Sequence, residues 1–133
     1  MQELPYGIAI MTAVSVEEAE ARVRDALAAE GFGVLTEIDV AATLKKKLNL
    51  DRRPYKILGA CNPRLAAQAL DTDQHIGLLL PCNVVVYETD HGTAVEAMEP
   101  AIMSQMIDDE AIRPIAQEAR ERLSRALASL EEM

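Results

Sequence analysis

Residues 82–98, CNVVVYETDHGTAVEAM, contain two extended, largely apolar runs separated by the turn residues TDHG. Val, Thr and Tyr suit strands, and a short polar turn between two such runs specifies a β-hairpin. A hairpin is antiparallel by construction, so the rest of the chain must be laid around an antiparallel pair.

The flanking segments supply helices and further strands. Tyr6 to Val14 reads as a strand, and SVEE then fits a capping box with Ser15 at the N-cap and Glu18 three residues on. Val16, Ala19, Val23, Ala26 and Leu27 recur at helical spacing and should face the core. Glu18–Arg22 and Glu20–Arg24 are i,i+4 pairs on the outer face, each contributing about 0.3 kcal/mol. Gly31 should end the helix.

Residues 32–40 read as a second strand, followed by a short helix with Leu44 and Leu48 on one face and Lys45, Lys46 and Lys47 near its C-terminal end. YKILGAC, residues 55–61, is a third strand. Asn62-Pro63 starts a helix, Asn as N-cap and Pro at the first position, with Leu65, Ala66, Ala69 and Leu70 as its buried stripe. IGLLLPCNVVVYE is the most buried strand candidate, with a bend or bulge expected at Pro81 and regular pairing from Cys82 to Glu88. Pro100 opens a short helix. The last helix, over DDEAIRPIAQEARERLSRALASL, carries Ile112, Ile115, Ala119, Leu123, Leu127 and Leu130 as one stripe, and Pro114 must sit in its first turn or kink it. The order β-α-β-α-β-α-β-β-α predicts a single α+β domain with helices on one face of a mostly antiparallel sheet.

Composition narrows the partners. A net charge of −9, 3% aromatic residues and no Trp disfavour nucleic acid, which needs cations and stacking surfaces. The apolar run from Ile76 to Tyr87 is far shorter than the roughly 20 residues a membrane helix requires. MQELPYG lacks the features of a signal peptide, so a cytoplasmic protein with reduced thiols and no membrane partner is expected.

The chain's two cysteines both precede asparagine, at Cys61-Asn62 and Cys82-Asn83. Cys61 closes a strand just before a capped helix, where the positive helix end can favour a thiolate. Its competing explanation is packing among the small residues Gly59 and Ala60. Asn62 has a helix to cap. Cys82 alternates with Val84 and Val86 and reads as core. Asn83 shares a face with Val85 and Tyr87 in a strand apolar on both sides, and a buried Asn must find hydrogen-bond partners or line a polar pocket. Lys45, Lys46, Lys47, Arg52 and Arg53 form a local basic cluster able to hold a phosphate or carboxylate, or simply a solvated helix end. No metal site is expected, because the cysteine spacing is not a zinc spacing and His75 and His91 lie in polar loops. Met98, Met103 and Met106 read as adaptable core or interface filler. An apolar second sheet face would make a homodimer the simplest cover.

RPYKILGACNPRLAAQAL with IGLLLPCNVVVYE closely resembles the uncharacterised bacterial and archaeal family catalogued as domain of unknown function 302, and DVAATLKKKLNLDR and VEAMEPAIM are also similar to it. The resemblance runs from about Tyr6 to Leu127 and carries its motif onto Gly59, Cys61, Asn62, Pro63, Leu80, Pro81, Cys82 and Asn83. It implies the β-α-β(4)-α topology of TATA-binding-protein-like folds, with the helices at 41–49 and 63–72 as insertions, and implies no DNA binding. That topology would make strands 55–61 and 82–88 antiparallel neighbours and bring Cys61 and Cys82 to one edge. The family carries no established activity and no cofactor. The expected function is therefore a small ligand-binding or sensing domain, dimeric, with a pocket near Cys61, Asn62, Cys82 and Asn83 and a ligand of anionic character. A thiol-dependent enzyme using Cys61 with Cys82 and a purely structural oligomerising module are the alternatives.

Overall fold

A computed structural model of the chain describes residues 1–131. In chain order it contains β1 (Gln2–Leu4), β2 (Gly7–Thr12), α1 (Val16–Ala29), β3 (Gly33–Asp39), α2 (Val40–Leu48), β4 (Tyr55–Cys61), α3 (Pro63–Thr72), a 3-10 helix (Gln74–Leu79), β5 (Cys82–Thr89), β6 (Gly92–Met98), α4 (Ala101–Met106) and α5 (Ile112–Ala128). Among these residues the six strands form one sheet in the order β1-β2-β6-β5-β4-β3, every neighbouring pair antiparallel. The α+β class and the β-α-β(4)-α core follow directly: β2, α1, β3 to β6 and α5, with α2, α3, the 3-10 helix and α4 inserted.

The helix starts obey local chemistry. Ser15 Oγ accepts the Glu18 N–H at 3.1 Å, Asp39 Oδ1 accepts the Ala42 N–H at 2.9 Å, and Asn62 Oδ1 accepts the Leu65 N–H at 3.2 Å. Helices α1 and α5 cover one sheet face. Ile8, Ile10, Leu58, Val84, Val86 and Val95 from the strands meet Val23, Leu27, Leu123 and Leu127 from the helices in the main core. A second cluster, Ala69, Ile76, Met103, Ile112 and Ala116, joins the short helices to the start of α5.

Strand parity sends Lys56 toward the helix side with Leu58 and Ala60. It is neutralised there by Glu20 on α1 at 2.9 Å and Glu37 on β3 at 2.8 Å. Those partners raise its pKa, and the hydrogen bond from Lys56 holds the Glu37 carboxyl below its ordinary value.

Several sequence expectations need correction. Residues 76–79 of IGLLLPCNVVVYE belong to the 3-10 helix rather than a strand, whereas regular pairing begins at Cys82 as expected, after a cis Leu80-Pro81 bond. An apolar run can satisfy its backbone either way; Gly77 and Pro81 leave it too short for a strand. Strand β1 was not anticipated, because QEL has no apolar pattern. It is held by pairing to β2 and by Arg120 on α5, which reaches Glu3 at 2.7 Å and Glu99 at 2.6 Å. Leu70, expected on a buried stripe, is 39% exposed, and Leu48, expected to share a face with Leu44, is 64% exposed on a helix with no buried residue. Of the three methionines, Met103 is core and Met106 is exposed.

Candidate functional site

The register pairs Ala60 with Cys82, so Cys61 and Cys82 do meet at one end of the sheet, as neighbouring antiparallel strands require. Parity divides their roles. Ala60, Cys82 and Val84 face the helices, whereas Gly59, Cys61 and Asn83 fall on the opposite parity. Both thiols are free, Cys61 half-buried and Cys82 buried. Burial pushes the Cys82 thiol up to about 11, and the neighbouring Cys61 adds to the rise. A cavity of about 30 Å3 borders both cysteines together with Phe32, Leu65, Met103 and Ala119. It has room for a water or two and almost wholly apolar walls, so it is packing space rather than a ligand site.

Asn62 is absorbed by structure. Besides capping α3, its Nδ2 donates to the Glu30 carbonyl at 3.4 Å, tying the end of α1 to the start of α3. Asn83 corrects a more specific expectation. It is exposed, not buried, because the second face of β5 is not covered by any helix. An apolar strand need not be buried on both sides when its outer face lines a groove. Gly59 sits directly opposite Asn83, where an added Cβ would overlap Thr36 Oγ1 and lie 2.8 Å from Pro81 Cγ. A β-bulge between Val34 and Thr36 aims that threonine at the glycine. The glycine and the proline of the two similar-looking segments thus pack on one another.

The basic cluster does not converge. Lys45 pairs with Asp51 at 2.9 Å, and Arg53 pairs with Asp90 and, at 4.0 Å, with Glu88. Lys46, Lys47 and Arg52 have no ion-pair partner among the described residues. Among those residues no three His, Cys, Asp or Glu side chains gather as a metal-binding group, and His75 and His91 are both exposed.

What sequence reading missed lies on the uncovered face. Gly7, Ala9 and Met11 of β2, Ala94, Glu96 and Met98 of β6, Asn83, Val85 and Tyr87 of β5, and Tyr55, Ile57 and Gly59 of β4 share its parity. In this largely apolar field Glu96 is the single carboxylate of the central strand pair. A groove of about 460 Å3 runs past it, lined by Tyr6, Tyr55, Asn83, Val85 and Met98, and a second of similar volume flanks it through Met11, Tyr87 and Ala94. Tyr87 Oη donates to Glu96 Oε2 at 2.8 Å, and the Tyr87 ring stacks on Tyr55 with centroids 4.9 Å apart and planes 14° from parallel. The signal was present in TAVEAM: Ala94, Glu96 and Met98 alternate together, so its one charge had to sit on the same face as two apolar residues.

Burial, together with the hydrogen bond to Glu96, pushes the Tyr87 phenol up to about 12, and burial followed by the Glu96 charge raises Tyr55. Both stay neutral donors at physiological pH. A raised phenol pKa means that its contribution to stability is complete below about pH 10 and fades as pH rises toward 12. An absorbance titration of tyrosinate should therefore show Tyr87 ionising last, and Glu96→Gln should bring it down. An unchanged Tyr87 midpoint in that variant would contradict the coupling.

A family model described as domain of unknown function DUF302 matches residues 8–130. The chain belongs to the DUF302 family. A crystal structure of an uncharacterized conserved DUF302 protein from Bacillus stearothermophilus is similar to it, with TM-score 0.88 and 31% identity over 96% of this chain and 99% of that one. No curated protein matches. For this DUF302 chain, the recognisable motif around Gly59, Asn62, Pro81 and Cys82 marks architecture: a close strand approach, a helix cap and core. The groove around Glu96 is built from residues outside that motif, apart from Asn83 at its margin.

Proposed function

We propose that this DUF302 domain binds a small amphipathic molecule on the open face of its sheet, with Glu96 as the polar anchor. The observation that carries this is a half-buried carboxylate, fixed by the Tyr87 hydroxyl at 2.8 Å, in a mainly apolar groove of about 460 Å3. Grooves of that size, apolar with a few oriented polar groups, suit small ligands. Glu96 accepts hydrogen bonds and attracts cations, so it favours an amine or another strong donor over the anion expected from the basic cluster. The stacked tyrosines offer a flat wall for an apolar body or the flank of a cation.

The alternatives are less well supported. A symmetric dimer centred on this face would bring two Glu96 carboxylates together near its axis, a like-charge contact that a ligand amine avoids. A thiol enzyme using Cys61 with Cys82 would have a buried partner thiol, whose proton is held tightly by burial.

NMR titration with 4-propylbenzylamine tests the proposal. Amide shifts should map to Val85, Tyr87, Ala94 and Glu96, and Glu96→Gln should weaken binding at least tenfold. Shifts confined to other surfaces, or equal affinity in the variant, would overturn it.

A further inference from the structure

We infer that the ligand is zwitterionic, its cationic end at Glu96 and an anionic end, carboxylate in the simplest case, at Arg52. This rests on the Glu96 proposal and extends it along the tyrosine wall. Beyond Tyr55 and Tyr87 the open face continues into a groove of about 310 Å3, bounded by Arg52, Arg53, Pro54 and Glu88. The same ring pair lines this groove, and Tyr55 also lines the one containing Glu96, so the two grooves meet on the rings.

The charges at this end are not equivalent. Arg53 is engaged by Asp90 and, at 4.0 Å, by Glu88, so this one cation is shared between two carboxylates. Arg52 has no carboxylate within ion-pairing distance among the described residues, in a chain that carries 22 acidic residues against 13 basic ones. Lys46, Lys47 and Arg113 are likewise unpaired among those residues, but none of them lines the groove. The Arg52 segment is also held in place. Glu88 N–H donates to the Pro54 carbonyl at 3.1 Å, and the Lys45–Asp51 pair closes the other side of the loop at 2.9 Å. An arginine offers a planar fork of donors that matches a carboxylate in two parallel hydrogen bonds.

The sheet fixes the length. Glu96 registers with Val85, and Val85 with Ile57. Tyr87 and Tyr55 lie two residues further along, about 7 Å, and Arg52, three residues before the start of β4, lines the same groove as both rings. A ligand with charges on the order of 10 Å apart and a flat apolar middle spans this path.

A matched pair of probes separates the two claims: 3-[4-(aminomethyl)phenyl]propanoate carries both charges, and 4-propylbenzylamine only the amine. Calorimetric titration should show the zwitterion binding at least tenfold more tightly. Arg52→Gln should erase that advantage, leave the amine's affinity unchanged and leave the thermal unfolding midpoint where it was. Equal affinities for the two probes, with Glu96→Gln still weakening both, would overturn the Arg52 assignment and leave the Glu96 anchor intact. Failure of the amine to bind at Glu96 would remove both.

Discussion

Gly59→Ala is expected to destabilise the protein by about 2–3 kcal/mol, and Gly59→Val by more. The cause is local. A Cβ at Gly59 would overlap Thr36 Oγ1 and stand 2.8 Å from Pro81 Cγ, closer than real Cβ contacts allow. Thr36 belongs to the edge strand β3 and Pro81 to the segment entering β5, so relieving the clash means moving both neighbours of β4. Gly33 is the internal control. It lies in the same pair of strands, opposite Cys61, yet a Cβ there would meet nothing within 4 Å. Gly33→Ala should therefore leave stability within about 0.5 kcal/mol of the parent. Urea unfolding at fixed pH measures both. A Gly59→Ala protein as stable as Gly33→Ala would mean that the Thr36–Gly59–Pro81 approach is not a tight contact.

That triad also explains how far the sequence could be read. The hairpin, the Ser15 and Asn62 caps and the stripes on α1 and α5 are local signals, each written in residues a few positions apart, and the structure has them. Pairing β4 with β5 came from the family resemblance, not from spacing. What stayed illegible depends on which sheet face receives the helices. Asn83 was expected to be buried because both faces of its strand are apolar, but apolar strands also arise when the outer face lines a groove. Glu96 was passed over for the opposite reason: a single Glu in a strand is ordinarily solvated. Only the placement of Tyr87 beside it, diagonally across the β5–β6 hairpin, makes it a candidate anchor. The repeated Cys-Asn pairs drew attention because they look alike, yet their four side chains do four different things. Asn62 caps, Cys82 packs, Asn83 faces the groove margin, and Cys61 ends a strand half-buried.

The cysteines allow the sharpest test of whether thiol chemistry belongs to this fold. In the parent protein, with each cysteine followed separately by peptide mass spectrometry, alkylation of Cys82 by iodoacetamide at pH 8 should be at least about 100-fold slower in the folded protein than in urea. The factor follows from the thiol itself. Its pKa rises from an ordinary 9.0 to about 11, so below pH 9 the thiolate, which is the nucleophile, is about 100-fold scarcer. Burial at 6% exposure then slows access further, so the figure is a floor. The linkage has a definite sign. Because the folded-state pKa is raised, the contribution of Cys82 to stability is complete below about pH 9 and is lost as pH climbs through 11. Folded-state alkylation should consequently steepen across that interval as the protein loosens. Rapid modification of the folded protein, with a midpoint well below pH 9, would instead mean that Cys82 is reached and ionised in the native state. The pair with Cys61 would then regain a chemical role. With the slow result, a thiol mechanism loses the partner it needs, and Glu96 on the opposite face of the sheet is left as the polar centre around which a function can be built.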